Sequence, residues 1–393
     1  MDSPNSIPEV DLRRTAWENK SRFVHVRNHV RNKSDPAANA EANGMTWRSG
    51  LRRLSGAIAV EMLYRSGLCV LSRRCHKDSV LVLMYHDILP PGFPDRNVLF
   101  GMTVNTEEFG WQLDHIKAHY NPISLKQLCA WLAGQGALPP RSVLVTFDDG
   151  HTNNLHYALP ALQKRGMLAV CFIVAGNLGE RHLIWVEEGY SRLMSSNAEM
   201  WVSLDGQRHV LKSFHDRAAA CSYFFRLLQK LPEEDQQKEM TNLRRQFPVE
   251  EDGGRFRTRF EFLSHAQLRS LNGSNIEIGA HSMTHPVLAT LRVERARAEI
   301  VGSKLRLEGA TGAAINAFAY PFGQPGADFG DRDKDLIREA GYKVAFSGMP
   351  GFVNRDSDVF CLPRIAVGRM SRARFVATIT GALETLKQFV GRQ

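Results

Sequence analysis

The chain has 393 residues, of which 43% are apolar and 9% aromatic, and it carries a formal net charge of +9. This composition is that of a folded globular protein and excludes an intrinsically disordered chain. Residues 1–80 hold 14 Lys/Arg against 8 Asp/Glu, whereas the remainder of the chain is close to neutral. A basic surface for nucleic acid is therefore not expected on the main part of the protein.

The cysteines and the amino terminus bear on where the protein works. None of the six cysteines forms a CxxC pair, and several lie in apolar runs, which is typical of buried single thiols. Residues 1–14 are polar and show no cleavable signal pattern. We therefore expect a cytoplasmic or membrane-peripheral protein with reduced thiols. The six thiols are Cys69, Cys75, Cys129, Cys171, Cys221 and Cys361.

The first 78 residues differ in pattern from the rest of the chain. Residues 1–50 lack steady periodicity, and we expect a flexible polar leader. Residues 51–78 form an amphipathic pattern that Glu61 and Arg65 interrupt one helical turn apart, so it is too polar to span a membrane. This helix either packs on the main domain or lies on a membrane surface through residues 51–75. We expect packing on the barrel; in the membrane arrangement, four arginines would flank the helix as cations, Arg52, Arg53, Arg73 and Arg74.

From residue 79 onward, short β-branched runs alternate with amphipathic helical segments. Such alternation predicts a parallel sheet with helices outside it, and seven units suggest an α/β fold of the distorted (β/α)7 barrel type. We place the barrel at 79–375, with a mostly helical insertion at about 180–260 that includes a β-hairpin, and a final helix at 376–393. The predicted strands are 79–86, 142–150, 168–176, 276–282, 317–323, 343–348 and 362–368.

Acidic and histidine side chains follow several of these strands, at the edge where the loops of a barrel converge. Asp148 and Asp149 end the second strand. His281 and His285 follow the fourth, and in a helical turn their spacing would place both imidazoles on one face. Two histidines and one carboxylate are a ligand set that suits hydrolytic zinc or non-haem iron. The second aspartate would then remain as a base.

Four motifs in this part of the chain resemble those of the polysaccharide deacetylases, also called the NodB-homology domain or carbohydrate esterase family 4. They are "TFDDG" (146–150), "HSMTH" (281–285), "AYPFG" (319–323) and "LPRI" (362–365). The resemblance implies a distorted (β/α) barrel that removes acetyl groups from N-acetylated sugars, with an acetylated glycan as its partner. It also implies roles for four residues, with Asp148 as general base and Asp149, His281 and His285 as ligands of a divalent metal, usually Zn²⁺, with Co²⁺ or Ni²⁺ as alternatives.

The same resemblance assigns the residues that would hold the substrate. The backbone N–H of Phe322 would help to bind the tetrahedral oxyanion, and Tyr320 and Arg364 are candidate substrate or oxyanion contacts. Many family members carry an arginine in the fifth-strand motif, oriented toward the catalytic aspartate, where this chain has Ala319. Arg364 either substitutes for that arginine or forms a structural salt bridge.

The general acid also departs from the family pattern. The usual acid is a histidine in a late motif, but this chain has no histidine after His285. His86, in "LMYHDIL", resembles the "YH" start of the biofilm poly-N-acetylglucosamine deacetylases, where that histidine takes the acid's part. It ends the first strand, which neighbours the seventh if the barrel closes. We therefore expect His86 to be the acid.

Other residues and functions stay open at the level of sequence. Asp87 either orients His86 or forms a turn, and His151 is expected to face solvent. Trp185 and Trp201 in the insertion either pack in a core or stack on sugar rings. Two alternative functions are de-O-acetylation on the same frame and glycan binding without catalysis, the latter suggested by the missing arginine and late histidine.

Overall fold

The structure is a computed structural model that describes residues 56–93, 101–248, 258–271 and 273–390. The leader expected at 1–50 therefore lies outside the described residues, as do residues 51–55 of the expected amphipathic helix. Within the described residues, no helix is long and apolar enough to cross a membrane.

The strands alternate with helices along most of the chain. The strands are β1 (Leu81–Tyr85), β2 (Ile88–Leu89), β3 (Val104–Asn105), β4 (Asn121–Pro122), β5 (Ser142–Phe147), β6 (Ala169–Ile173), β7 (Met200–Val202), β8 (Arg208–Val210), β9 (Ile276–Ala280), β10 (Ala317–Ala319), β11 (Val344–Phe346) and β12 (Ile365–Ala366).

The helices differ widely in length, from 5 to 19 residues. They are α1 (56–65), α2 (Leu68–Cys75), α3 (Thr106–His119), α4 (Leu125–Leu132), α5 (Leu159–Gln163), α6 (Trp185–Ser195), α7 (Phe214–Leu228), α8 (Glu233–Gln246), α9 (His265–Ser270), α10 (Val293–Thr311), α11 (Asp331–Glu339), α12 (Arg372–Ile379) and α13 (Ala382–Val390).

Seven parallel strands form the barrel, in the order β11-β10-β9-β6-β5-β1-β12, and β4 adds to β5. The two edges meet, because the Leu362 N–H donates to Ala345 O and the Ser347 N–H to Leu362 O, each at 2.8 Å. The predicted α/β class and seven-strand barrel are confirmed. The pairing of β1 with β12 also confirms that the first strand neighbours the seventh.

Side chains of β5 alternate between two apolar layers. Val143, Val145 and Phe147 pack in the large core beneath the helices. Leu144 points into a second cluster that fills the barrel interior. Because successive strand residues point to opposite faces, Asp148 continues the inward-facing series. The alternation therefore directs one of the paired acids into the barrel.

Glycines divide the helices at both ends of the chain. The pattern predicted a single helix at 51–78, but Gly67, at φ 79°, separates α1 from α2. The single helix expected at 376–393 is likewise divided, because Gly381 adopts φ 78° between α12 and α13. A left-handed backbone ends an α-helix, and glycine adopts it without steric cost.

The insertion forms a satellite core of its own. Helices α6, α7 and α8 pack around aromatic residues that include Trp201, Phe224 and Phe225. The predicted hairpin is confirmed, since β7 and β8 pair antiparallel. The Ser213 side chain accepts a bond from the Asp216 N–H and starts α7 with a capping box. The insertion thus has the apolar content to hold its own shape beside the barrel.

Candidate metal centre and active site

The turn after β5 gives Asp148 and Asp149 different directions. Asp148 continues the strand, and its N–H donates to Tyr85 O at 3.0 Å. Asp149 adopts φ 75° and Gly150 φ 86°, so the chain reverses at once. A Cβ at Gly150 would lie 3.0 Å from the Ile173 side chain, so the position favours glycine by space as well as by φ. The left-handed turn therefore places the second acid beside β9.

His281 and His285 meet through a loop, which corrects the expected helical turn. Residues 281–285 are not helical. Ser282 and His285 instead adopt φ 63° and 60°, and the two imidazole rings lie 4.9 Å apart. The His285 N–H donates to Ser282 Oγ at 3.0 Å, which stabilises this bend. The spacing of four residues brings the histidines together, but by left-handed backbone rather than by a helix.

Glu299, on α10, holds this loop in place through hydrogen bonds to its backbone. It is fully buried, and one carboxylate oxygen accepts bonds from the N–H groups of Met283 (2.7 Å) and Thr284 (2.8 Å). The other oxygen accepts from the Thr284 hydroxyl, and Arg295 supplies the countercharge at 2.7 Å. Charge-assisted bonds of this kind are stronger than neutral ones. The 281–285 loop is therefore held in place by a side chain that lies 14 or more residues away in sequence.

Three donor atoms converge in a way that fits a divalent metal. Asp149 Oδ1 lies 3.7 Å from His281 Nε2 and 3.6 Å from His285 Nε2. Ligand atoms around a tetrahedral zinc are about 3.4 Å apart, given bonds of about 2.1 Å. Asp149 Oδ1 is buried and receives no hydrogen bond from the described residues. An oxygen left without a partner beside two imidazole nitrogens is what a bound cation would satisfy.

Both histidines are held in the form that can bind metal. His281 Nδ1–H donates to Ala319 O at 2.8 Å, which leaves the lone pair of Nε2 directed toward Asp149. Burial, with a smaller contribution from the neighbouring His281, lowers the pKa of His285 to about 3. A neutral imidazole with a free lone pair is the ligand form of histidine.

Arg364 pairs with Asp148, as expected of a substitute for the family arginine whose position Ala319 holds in this chain. Its two terminal nitrogens donate to the two Asp148 oxygens at 2.7 and 2.8 Å, and its Nε donates to Ser347 O at 3.0 Å. Asp148 and Arg364 are only 2% and 1% exposed. Burial alone would raise the pKa of Asp148, but Arg364, together with His281 and His86, outweighs burial and holds that pKa at about 2. The aspartate therefore stays ionised and fixed in direction.

His86 lies in the same site. It follows β1, and its charge contributes to the lowered pKa of both Asp148 and His285, so it is within electrostatic reach of both. The residue is partly exposed, whereas its Nδ1 is buried and makes no hydrogen bond to the part of the chain that the structure describes. The ring therefore has a polar atom without a protein partner inside the site.

Phe322 and Trp185 form one wall of the site. Phe322 adopts φ 61°, and its N–H donates to none of the described residues. Its ring lies 4.9 Å from the His285 ring and 5.6 Å from that of Trp185. The Trp185 indole N–H donates to His285 O at 2.9 Å. Trp185 thus belongs to the metal site, whereas Trp201 is fully buried in the core of the insertion.

Tyr320 points away from the site, contrary to the substrate contact that we expected. It is 1% exposed, its hydroxyl donates to Phe360 O at 2.9 Å, and its ring stacks on Phe329 at 3.5 Å. The residue alternates with Ala319 along the strand, so its side chain enters the core beneath the helices. Its role in the structure is packing.

The structure contradicts the exposed position expected for His151 and one of the two roles left open for Asp87. His151 is 2% exposed and lies between two carboxylates, with Nδ1 3.0 Å from Asp87 and Nε2 2.6 Å from Glu187. Asp87 pairs with His151 and Arg259, not with His86. The solvent-facing position expected for His151 is wrong because the insertion covers it. Glu187, on α6, is what covers it, and no local signal indicated that contact.

A second cluster of ligand-type residues shares Asp149 but does not suit a metal. Each of Asp149, His151 and Glu187 offers one possible ligand atom, and these atoms lie within 4.8 Å of one another. Burial alone would lower the pKa of His151, but Glu187 and Asp87 raise it well above its usual value. Because both ring nitrogens donate to carboxylates, no lone pair remains for a cation. The cluster is an ionic bridge between the barrel and the insertion.

The family is established by comparison with known proteins. The family model for polysaccharide deacetylases matches residues 135–345, which is more than half of the chain. The chain therefore belongs to the polysaccharide deacetylase family, and the resemblance noted in its motifs is confirmed.

Two curated relatives match part of the chain. YxkH of Bacillus subtilis, whose name assigns it to the polysaccharide deacetylases, is 29% identical over 108 residues. The aligned region covers 27% of this chain and 36% of YxkH. The poly-β-1,6-N-acetyl-D-glucosamine N-deacetylase of Staphylococcus aureus is 26% identical over 114 residues, 27% of this chain and 39% of that protein. The match thus spans less than half the length of either relative.

Two solved structures share the fold. The Streptococcus pyogenes deacetylase PplD, in complex with acetate, has a TM-score of 0.51 at 18% identity and covers 77% of this chain and 99% of its own. IcaB from Ammonifex degensii has a TM-score of 0.51 at 20% identity and covers 77% and 97%. These similarities show that the barrel is that of known deacetylases.

Proposed function

We propose that the protein removes acetyl groups from N-acetylated sugars of a polysaccharide or a glycan precursor, with a divalent metal as cofactor. One observation carries the proposal: the Asp149, His281 and His285 donor set lies directly beside an ionised, buried Asp148. The family to which the chain belongs and the name of the S. aureus relative support an acetylated glycan as the substrate.

Three residues of the chain provide the base, the hydrogen-bond donor and the acid of the proposed reaction. When bound, a divalent cation, most simply Zn²⁺, would act as a Lewis acid toward the acetyl carbonyl and lower the pKa of water. Asp148 accepts the proton of the attacking water, in an orientation fixed by Arg364. The Phe322 N–H donates to the oxygen that becomes negative. His86 donates a proton to the departing amine.

The arrangement also bears on the non-catalytic alternative. That reading rested on the absent fifth-strand arginine and the absent late histidine. Arg364 pairs with Asp148 at 2.7 Å from another strand, and His86 lies within electrostatic reach of it. Each missing part therefore has a candidate replacement, which favours catalysis.

Metal analysis together with acetate release tests the proposal. The purified full chain should contain about one equivalent of a divalent metal and release acetate from N-acetylglucosamine oligomers, and chelation should abolish the release reversibly. Asp148→Asn should keep the metal and lose activity, whereas His281→Gln should lose both. His182→Ala, at an exposed histidine outside the site, is the matched control.

Two outcomes would contradict this reading. A metal-loaded protein that releases no acetate from N-acetylated glycans but does so from O-acetylated ones would establish the ester alternative. Near-normal turnover of metal-loaded His86→Ala would remove His86 from the mechanism, since an amine leaving group needs a proton donor.

A further inference from the structure

The helices α1 and α2, which precede the barrel, expose more large apolar side chains than other segments of similar length in the described residues. Fourteen large apolar side chains are exposed in the described residues, and six of them fall between positions 58 and 71. Soluble surfaces rarely carry contiguous apolar patches, and such a patch marks a contact site. We call this surface the amino-terminal face: Ile58, Met62, Tyr64, Leu68, Val70 and Leu71.

The amino-terminal face is held firmly against the barrel by its other side. Val60, Leu63 and Cys69 are buried in the main core. The Ser72 hydroxyl donates to Thr380 O, and the His76 ring stacks on Phe352 at 3.9 Å. The exposed side chains therefore project from a fixed support, so their exposure is a property of the fold.

The same segment carries an excess of positive charge, with four Lys/Arg against two Asp/Glu in residues 56–80. Arg74 is exposed near the end of α2, whereas Arg65 and Lys77 are exposed but lie 2.7 and 4.0 Å from the carboxylates of Glu61 and Asp78. Two helices with apolar side chains and neighbouring cations have the composition of segments that lie in the interface of an anionic bilayer.

The charge also weighs against a second copy as the cover of the face, because a symmetric pair of copies would bring the same cations against each other. We propose that the amino-terminal face binds anionic lipid and holds the protein on a membrane surface.

This placement would set the orientation of the catalytic end. Arg141 N–H donates to Lys77 O, so the segment after α2 lies at the start of β5, whereas Asp148 follows its end. Six strand residues span about 20 Å. The metal ligands would face away from the lipid, toward a glycan that arrives from the aqueous side.

Vesicle sedimentation of the full chain tests the proposal. Vesicles of phosphatidylcholine with 30% phosphatidylglycerol should bind the protein at least tenfold more strongly than pure phosphatidylcholine vesicles, and high salt should weaken the binding. The double variant Met62→Glu/Leu71→Glu should bind at least tenfold more weakly, and Arg74→Glu about fivefold. Leu204→Glu is the matched control, since Leu204 is equally exposed but lies on the insertion hairpin.

Each remaining outcome overturns the proposal. Equal binding to both vesicle types, or unchanged binding of the double variant, would exclude this face as a lipid site. Self-association without lipid, abolished by the same double variant in light scattering, would assign the face to a second copy. Thermal melting verifies that each variant is folded. Because sedimentation measures binding and not acetate release, its result does not depend on whether the protein is a deacetylase.

Discussion

At the scale of single residues, the proposed mechanism depends most directly on the buried Asp148–Arg364 pair. A bidentate guanidinium holds the carboxylate ionised in a position that is 2% exposed. Removing one partner of a buried pair leaves an uncompensated charge, which costs about 3–5 kcal/mol. The pair therefore links the chemistry to the stability of the barrel interior.

Substitution of Arg364 should change the pH dependence of activity. In Arg364→Met, burial of Asp148 is opposed only by His281 and His86, so the pKa of Asp148 should rise and kcat/KM near neutral pH should fall at least tenfold. Arg364→Lys should restore part of the activity, because it returns the charge without the bidentate geometry. The measurement is a pH–rate profile with metal content determined in parallel. An unchanged profile in a folded, metal-loaded Met variant would show that Arg364 is only structural.

A second carboxylate gives a pH effect on stability that is separate from catalysis. Burial raises the pKa of Asp328 to about 6, although the Gln324 N–H donates to it at 2.8 Å. The folded state thus binds more protons than the unfolded state, so stability falls as pH rises from about 4 to about 6.

Asp328→Asn should therefore stabilise the protein at neutral pH, by about 1–3 kcal/mol. The gain should shrink toward pH 4, where the wild-type carboxyl is protonated. Thermal melting across this pH range measures it, with the exposed Asp356→Asn as control. A gain that is the same at pH 4 and pH 7 would refute the assignment to ionisation.

At the scale of elements, two helices that contribute no candidate ligand hold the loop that carries the candidate metal ligands. The N–H groups of the 281–285 loop are held by Glu299 of α10, and His285 O is held by Trp185 of α6. Groups that orient metal ligands typically affect metal affinity by 10- to 100-fold.

Glu299→Gln should weaken metal binding about tenfold while the fold survives. The amide keeps one acceptor for the loop, but it loses the charge that strengthens the bonds to Met283 and Thr284. Competition with a chromophoric chelator measures the affinity. Glu294→Gln, an exposed change on the same helix, should leave it unaltered. Equal affinities for both variants would mean that the loop keeps its shape without Glu299.

Trp185→Phe should also weaken metal binding, by about three- to tenfold, because it keeps a ring against Phe322 but removes the bond to His285 O. Trp201→Phe makes the same chemical change in the core of the insertion and should alter only stability. A loss of metal affinity in both variants would indicate a general loosening rather than a local contact.

At the scale of the whole molecule, sequence reasoning succeeded where a feature is local. The β-branched runs predicted the seven strands, and the residues after them include every member of the candidate metal site. The backbone at Asp149, Ser282 and His285 was not predictable, because positive φ in non-glycine residues depends on surrounding contacts. The burial of His151 was missed for a similar reason. It depends on Glu187, which lies 36 residues away in an insertion with no repeat pattern.

The two connections of the insertion have a practical consequence for building chimeras between relatives. The returning chain lies beside the turn after β5, where the Thr152 N–H donates to Glu261 O and the Leu263 N–H to Gly150 O. The outgoing chain carries Trp185 and Glu187, which contact the metal site. An exchange of the whole segment would therefore disturb the ligands. Crossover points after α6 and before residue 258 should instead transplant the outer part of the insertion while both supports stay native.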